Sequence, residues 1–282
     1  MLPRTNAIYD QPAHDIARAQ VPRAEGSALV SAKRTAAGSA LDDLRMAGCL
    51  KLLFSPNPSR VDGIAINSSG GLTSGDRITL HAEAKPGATL ALTTQAAERA
   101  YRADAAPAKI RTHLKVAEDA TLLWLPQELI LFDGARLDRA LTCDLAANAK
   151  ALLVEPVVFG RHAMGEAIRA LDFSDRITIT RNGAPHYRDA VKLNGDAHSL
   201  LSRAAIAGGA GAMATVIYVA PDAEAHLARI QPSLPPTAGA SLIRDGVLTL
   251  RAVARDGFAL RQTLVPILDA LTGDTLPKSW RL

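Results

Sequence analysis

Short runs of alternating apolar and polar residues recur along most of the chain, separated by turn residues. Between Arg77 and Ala84, Ile78, Leu80 and Ala82 fall on one side and Thr79, His81 and Glu83 on the other. That period of two marks a strand with one buried face. Ile110, Thr112, Leu114 and Val116 repeat it. Further strands are predicted over 28–32, 48–54, 64–66, 89–94, 121–125, 129–132, 140–145, 151–159, 176–181, 212–219, 241–244 and 247–254. Pro56-Asn57-Pro58, Pro86-Gly87, Asp133-Gly134, Asn182-Gly183 and Asp245-Gly246 supply turns. Many short strands at near-regular spacing point to a barrel, a sandwich or a coil of strands, and away from βαβ units. No strict repeat is visible, so periodicity alone does not select a solenoid.

Three segments carry a helical period. Residues 196–207 end at Gly208-Gly209, and 222–230 stop before Pro232. Residues 260–271 contain Pro266 and are predicted helical mainly after it. Residues 230–239, with three prolines, read as a loop, and residues 1–26 as a mobile N-terminal arm ahead of one β-rich domain over 27–282.

The stretch from Ile64 to Ile78 stands apart, since Gly70, Gly71 and Gly75 fall within six residues between two strands. Glycine reaches positive φ without steric cost, so these suggest a shaped loop, with an ordinary glycine-rich strand connection as the alternative from local chemistry. The spacing from Gly70 to Gly75 imitates a phosphate loop. Asp76-Arg77 then stands where that motif needs Lys and Ser/Thr, which excludes nucleotide binding there. Residues 209–214 imitate a dinucleotide fingerprint but run from helix to strand, the wrong order. The seven histidines form no HExxH or HxH pattern, and His162-Ala163-Met164 is only a faint metal signal.

The 282 residues are 48% hydrophobic, enough for a sizeable core. The net charge of +4 comes from basic residues scattered singly, so nucleic-acid binding is not indicated. Two distant cysteines, Cys49 and Cys143, are expected to be free thiols. No apolar run reaches membrane length and no secretory signal is visible, so a cytoplasmic, membrane-free protein is expected.

Acidic residues set in apolar or glycine-rich strings are the remaining chemistry: Asp76, Glu98, Glu128, Asp133, Glu155 and Glu166. Glu155 lies within Leu152-Leu153-Val154-Glu155-Pro156-Val157-Val158-Phe159, where an unpaired carboxylate costs several kcal/mol to bury. It either faces an arginine such as Arg161, lies at an exposed edge, or lines an internal passage for a divalent cation. A hydrolase assembled in space, with Ser69 and His81, and a metal-independent interaction module are the competing classes.

Four segments in order resemble the urease accessory protein UreD (UreH) family: 66–77, 93–102, 124–135 and 159–166, with 276–282 similar to the family's ending. Gly38-Ser39-Ala40-Leu41 is a loose version of the family's glycine-threonine-leucine turn. The resemblance implies a right-handed, β-helix-like stack of short strands with a few α-helices and no catalysis. It implies binding to urease apoprotein and to UreF, with UreG reached through UreF. No tightly bound cofactor is implied, only nickel in transit. On that reading Asp76, Glu98, Asp133, Glu155 and Glu166 become transient nickel ligands, Glu155 first among them.

Overall fold

The computed structural model describes residues 22–161 and 164–281. Most of the expected arm, residues 1–21, and His162 and Ala163 lie outside the described residues.

Alternating strands along the chain enter two sheets by turns. Strands β1 (Glu25–Thr35), β2 (Gly38–Gly48), β5 (Arg77–Ala84), β8 (Ala108–Val116), β11 (Arg136–Leu145), β13 (Leu171–Arg181) and β14 (Ala184–Gly195) form the first sheet. The second contains β3 (Leu50–Ser55), β4 (Val61–Asn67), β6 (Thr89–Thr94), β9 (Thr121–Leu125) and β12 (Lys150–Phe159). It continues through β15 (Ala212–Val219), β17 (Val247–Ala254) and β16 (Ala238–Arg244). The short β7 (Glu98–Ala100) and β10 (Leu129–Leu131) extend its path.

Neighbouring coils run parallel and in register: Thr112 of β8 stands between Leu80 of β5 and Leu141 of β11. The product is a β-solenoid of about four turns. The coil of strands is thus the correct member of the three architectures that the strand pattern allows, and the β-helix-like stack is borne out.

Inward positions of both sheets meet in one apolar core that includes Val30, Leu80, Leu114, Leu137, Phe173 and Leu153. The second sheet has a further apolar layer behind it. Helix α3 (Gly257–Thr272) packs on β12, β15 and β17, burying Leu260, Leu264 and Leu268 against Leu152, Val154 and Val216. Strand β12 is therefore buried on both faces from Ala151 to Phe159, which accounts for a run that is apolar except at Glu155.

Several boundaries differ from the sequence reading. Strands β2 and β14 were not predicted; both are sheet edges whose apolar positions are interrupted, by a bulge in the pairing of β2 and by Asp189 between Tyr187 and Val191 in β14. The predicted strand over 48–54 is in fact the end of β2, a turn and β3. Helix α1 (Ala197–Ser202) stops five residues before its predicted end, and α2 (Ala223–Ile230) is as expected. Helix α3 runs through Pro266 from an Asp256 cap whose side chain accepts the Ala259 N–H, so it starts well before the proline. Its apolar seal on the sheet outweighs the proline's cost of about 3 kcal/mol.

The three-glycine loop is formed as expected. Gly70, Gly71 and Gly75 have φ of 79°, 144° and 75°. The Leu72 N–H donates to the Arg99 carbonyl at 2.7 Å, and the Tyr101 N–H to the Leu72 carbonyl at 2.8 Å, tying the loop to β7. A Cβ on Gly71 would lie 2.4 Å from the Tyr101 ring and 2.9 Å from the Arg99 carbonyl, whereas one on Gly70 would meet nothing. Gly71→Ala is expected to cost roughly 3 kcal/mol or more and Gly70→Ala about 1 kcal/mol in urea denaturation. Equal losses would show that the loop yields without penalty.

Candidate functional site

The inner core holds a charged group in its midst. Arg139, Glu155 and Asp175 are all buried, at 7%, 5% and 8% exposure. Arg139 occupies an inward position of β11, between Leu137 and Leu141, and Asp175 is its in-register neighbour on β13. Glu155 comes from β12, across the core. Arg139 donates from Nε and Nη2 to the two oxygens of Asp175, at 2.9 and 2.6 Å, and from Nη1 to Glu155 Oε2 at 2.5 Å. The second Glu155 oxygen accepts the Trp124 indole N–H at 2.8 Å. Phe173 lies beneath the guanidinium, 5.9 Å from ring centroid to Cζ. Every polar atom of the group is thereby met, as burial of charge requires.

Strand pairing leaves an opening beside this group. Strand β12 pairs with β9 as far as Leu153 opposite Trp124, and with β10 again from Val157 opposite Leu129. Between those points Glu155 and Pro156 have no parallel neighbour in the ladder, and proline brings no N–H. The same interruption occurs one coil earlier, at 126–128 between β9 and β10, and two coils earlier, at 95–97 between β6 and β7. Stacked corner breaks leave a cavity of about 280 Å³. Its lining includes Asn67 and Gly70 of the glycine loop, Glu98, Gln127, Trp124, Arg139 and Glu155.

The corner segments are held from outside. The Gln127 N–H donates to Thr94 Oγ1 at 2.8 Å, and the Glu98 N–H to the Glu128 carbonyl at 2.9 Å. Arg261 of α3 clamps both oxygens of Glu128, bonds the Gln127 side chain and lies over the Trp280 ring. The Trp280 indole N–H in turn reaches the Leu125 carbonyl at 2.9 Å.

Of the acids predicted to form a passage, the fold brings Glu98 and Glu155 to one cavity and places the other three elsewhere. Glu98 accepts from Asn67 Nδ2 at 3.1 Å and from the Arg99 N–H at 3.0 Å, and burial raises its carboxyl above the usual range. Asp76 is buried but accepts the Ala24 and Thr73 N–H groups, each at 2.8 Å, which makes it a brace of the glycine loop. Asp133 accepts the Arg169 and Ala170 N–H groups and pairs with Arg102 at 2.9 Å. Glu166 pairs with Arg161 at 3.0 Å. The arginine facing Glu155 is therefore Arg139, and Arg161 serves Glu166. Among the described residues, no three His, Cys, Asp or Glu side chains converge so as to hold a metal ion.

Ser69 and His81 are not brought together. The Ser69 hydroxyl bonds Asn67 and the Gly71 carbonyl, while the His81 ring stacks on His113 at 4.6 Å. Cys49 and Cys143 are free thiols. Among the described residues, no helix is long and apolar enough to cross a membrane.

Arg139 and Asp175 are the site residues that sequence reading missed. Their signal was present: Leu137-x-Arg139-x-Leu141 and Phe173-x-Asp175-x-Ile177 each put a charge in the apolar register of a strand.

Burial pushes the Glu155 carboxyl up, to about 7; Asp175 adds to the rise, while Arg139 and the Trp124 N–H oppose it. Burial also works against the charge on Arg139, but the two carboxylates outweigh it and hold the guanidinium charged. An acid raised in the folded state holds its proton more tightly there than in the unfolded chain, whose value is near 4.5. Its contribution to stability is therefore full below that value and is lost as pH rises through about 7. Glu155→Gln removes this dependence. The stability difference between wild type and variant is expected to shift by roughly 3 kcal/mol against wild type from the acid to the neutral side of that window. Urea melts across it provide the measurement, and a constant difference would contradict the assignment.

The UreD urease accessory protein family matches residues 24–281. The chain is 47% identical over 283 residues to a urease accessory protein UreD of Roseobacter denitrificans, covering 100% of both proteins. It is 46% identical over 247 residues to one of Ruegeria pomeroyi, covering 86% of this chain and 96% of that protein. A Rhizobium johnstonii protein of the same name is 38% identical over 262 residues, covering 92% and 96%. These relatives are named for an accessory role and not for a catalysed reaction. By sequence along nearly its whole length, this chain belongs to the UreD family of urease accessory proteins.

Proposed function

We propose that the protein is a cytoplasmic scaffold for urease metallocentre assembly. It binds urease apoprotein and UreF, receives UreG through UreF, and passes nickel along the cavity from Glu98 to Glu155 without keeping it. The observation that carries this reading is the cavity itself: one space is lined by the glycine loop, by Glu98 and by the buried Glu155. Oxygen donors suit a borderline divalent cation that must be released, because thiolate and imidazole cages hold such ions more tightly. Water-sized space around the acids lets an ion keep part of its hydration shell, which lowers the desolvation cost of the interior.

Co-expression with the urease subunits and UreF, with capture through a tag on this chain, tests the scaffold. Both partners are expected in the eluate; recovery of neither, with the chain folded, would overturn the assignment. Glu98→Gln combined with Glu155→Gln is then expected to leave the complex intact. Nickel-dependent urease activation should fall about tenfold or more, equivalent to losing roughly 1.4 kcal/mol of ion binding along the path. Full activation by that variant would leave the chain as an interaction module with no metal path.

A further inference from the structure

The cation position at Glu155 is already filled, by the protein's own arginine. This bears on any ion that reaches the inner end of the cavity. Arg139 makes three charge-assisted bonds, and they are divided unequally. Two go to Asp175 from one edge of the guanidinium, and one goes to Glu155. Arg139 and Glu155 both line the cavity, whereas Asp175 stands behind them on the next coil. The guanidinium can therefore give up its single bond to Glu155 and keep the planar fork to Asp175. Glu155 keeps the Trp124 N–H throughout and frees the oxygen nearer Arg139.

We propose that Arg139 is a displaceable internal counter-cation, exchanged at Glu155 for an incoming divalent cation while Asp175 retains the guanidinium. The proposal rests on the cavity reading above. Formal charge favours the exchange. With the ion absent, one guanidinium serves two carboxylates, leaving a negative charge uncompensated in a low-dielectric setting. With a divalent ion admitted, the two positive charges it brings meet that excess and the further carboxylate of Glu98 on the same cavity. The arrangement also explains how a buried acid is kept from trapping the ion: the returning guanidinium competes for the same oxygen and favours release. Arg139 acts here as a specificity and release element, and Asp175 as the residue that positions it.

Two variants separate this from a structural role, because both lack the Asp175 carboxylate yet are expected to move in opposite directions. In Asp175→Asn the guanidinium loses its charged anchor and bears on Glu155 alone, so Ni²⁺ affinity should fall about tenfold. In the double variant Arg139→Met with Asp175→Leu the competitor is gone, and affinity should rise about tenfold over wild type, each step corresponding to roughly 1.4 kcal/mol. Replacing the pair by apolar residues of similar volume also guards the fold, since buried ion pairs so replaced are often neutral or more stable. The measurement is Ni²⁺ uptake by the full chain in equilibrium dialysis at mildly alkaline pH, with a urea melt of each variant. Glu155→Gln is the reference that defines uptake at this site. If Glu155→Gln abolishes uptake while the two variants shift together or not at all, the exchange is wrong and the cavity reading stands. If Glu155→Gln changes nothing, both fall.

Discussion

Register is the constraint on which the rest of this structure depends. In a parallel coil each strand must match its neighbours residue for residue, so a feature set in one turn is imposed on the next. Inward positions stack into continuous apolar files, and wherever the chain leaves the ladder the departure is stacked as well. The interruptions after β6, after β9 and within β12 line up for this reason. Aligned interruptions make a cavity where isolated ones would have made only kinks. Its depth is a consequence of the stacking, and its chemistry comes from the few polar residues placed at the breaks.

The same stacking makes the buried charges tolerable. A carboxylate on one sheet and an arginine on the other meet across the core because the two strands belong to one turn. The second carboxylate follows on the next turn, at the position that register assigns to it. No local motif is needed, and none is present: the three residues are separated by 16 and 20 positions in the chain. The outer layer completes the arrangement. Helix α3 both seals the back of the second sheet and sends Arg261 to fix the segment that forms one wall of the cavity.

How much of this was legible in the sequence follows the same physics. Strands with one apolar face, such as β5 and β8, were readable from alternation. Strands β2 and β14 were not, because their few core-facing residues, Leu44 in one and Tyr187, Val191 and Leu193 in the other, are interrupted by a bulge and by Asp189. The most informative errors concern β11 and β13. Reading them only from 140 and 176 onward cut each strand just after Arg139 and Asp175, as though a charge could not occupy an inward position. That reading leaves both residues out of the candidate site, although Glu155 in its apolar string calls for a partner. The acids assigned by string context alone divided by topology. Glu98 and Glu155 sit at stacked breaks, while Asp76, Asp133 and Glu166 answer nearby backbone N–H groups and arginines.

The bonds from α3 and Trp280 to the 125–128 segment carry a kinetic consequence. From β4 onward successive turns of the coil join residues some 28–36 positions apart, whereas Arg261 and Trp280 reach partners 133–155 positions away. Closing a longer loop costs more chain entropy, so the coils can stack before the helix finds its place. Until then the back of the second sheet, with Leu152, Val154 and Val216, faces water, and the 125–128 segment lacks its clamp. The cavity wall is thus among the last parts of the molecule to take shape. A chain caught before that step presents a broad apolar sheet to its surroundings, which places the hazard of aggregation late in folding.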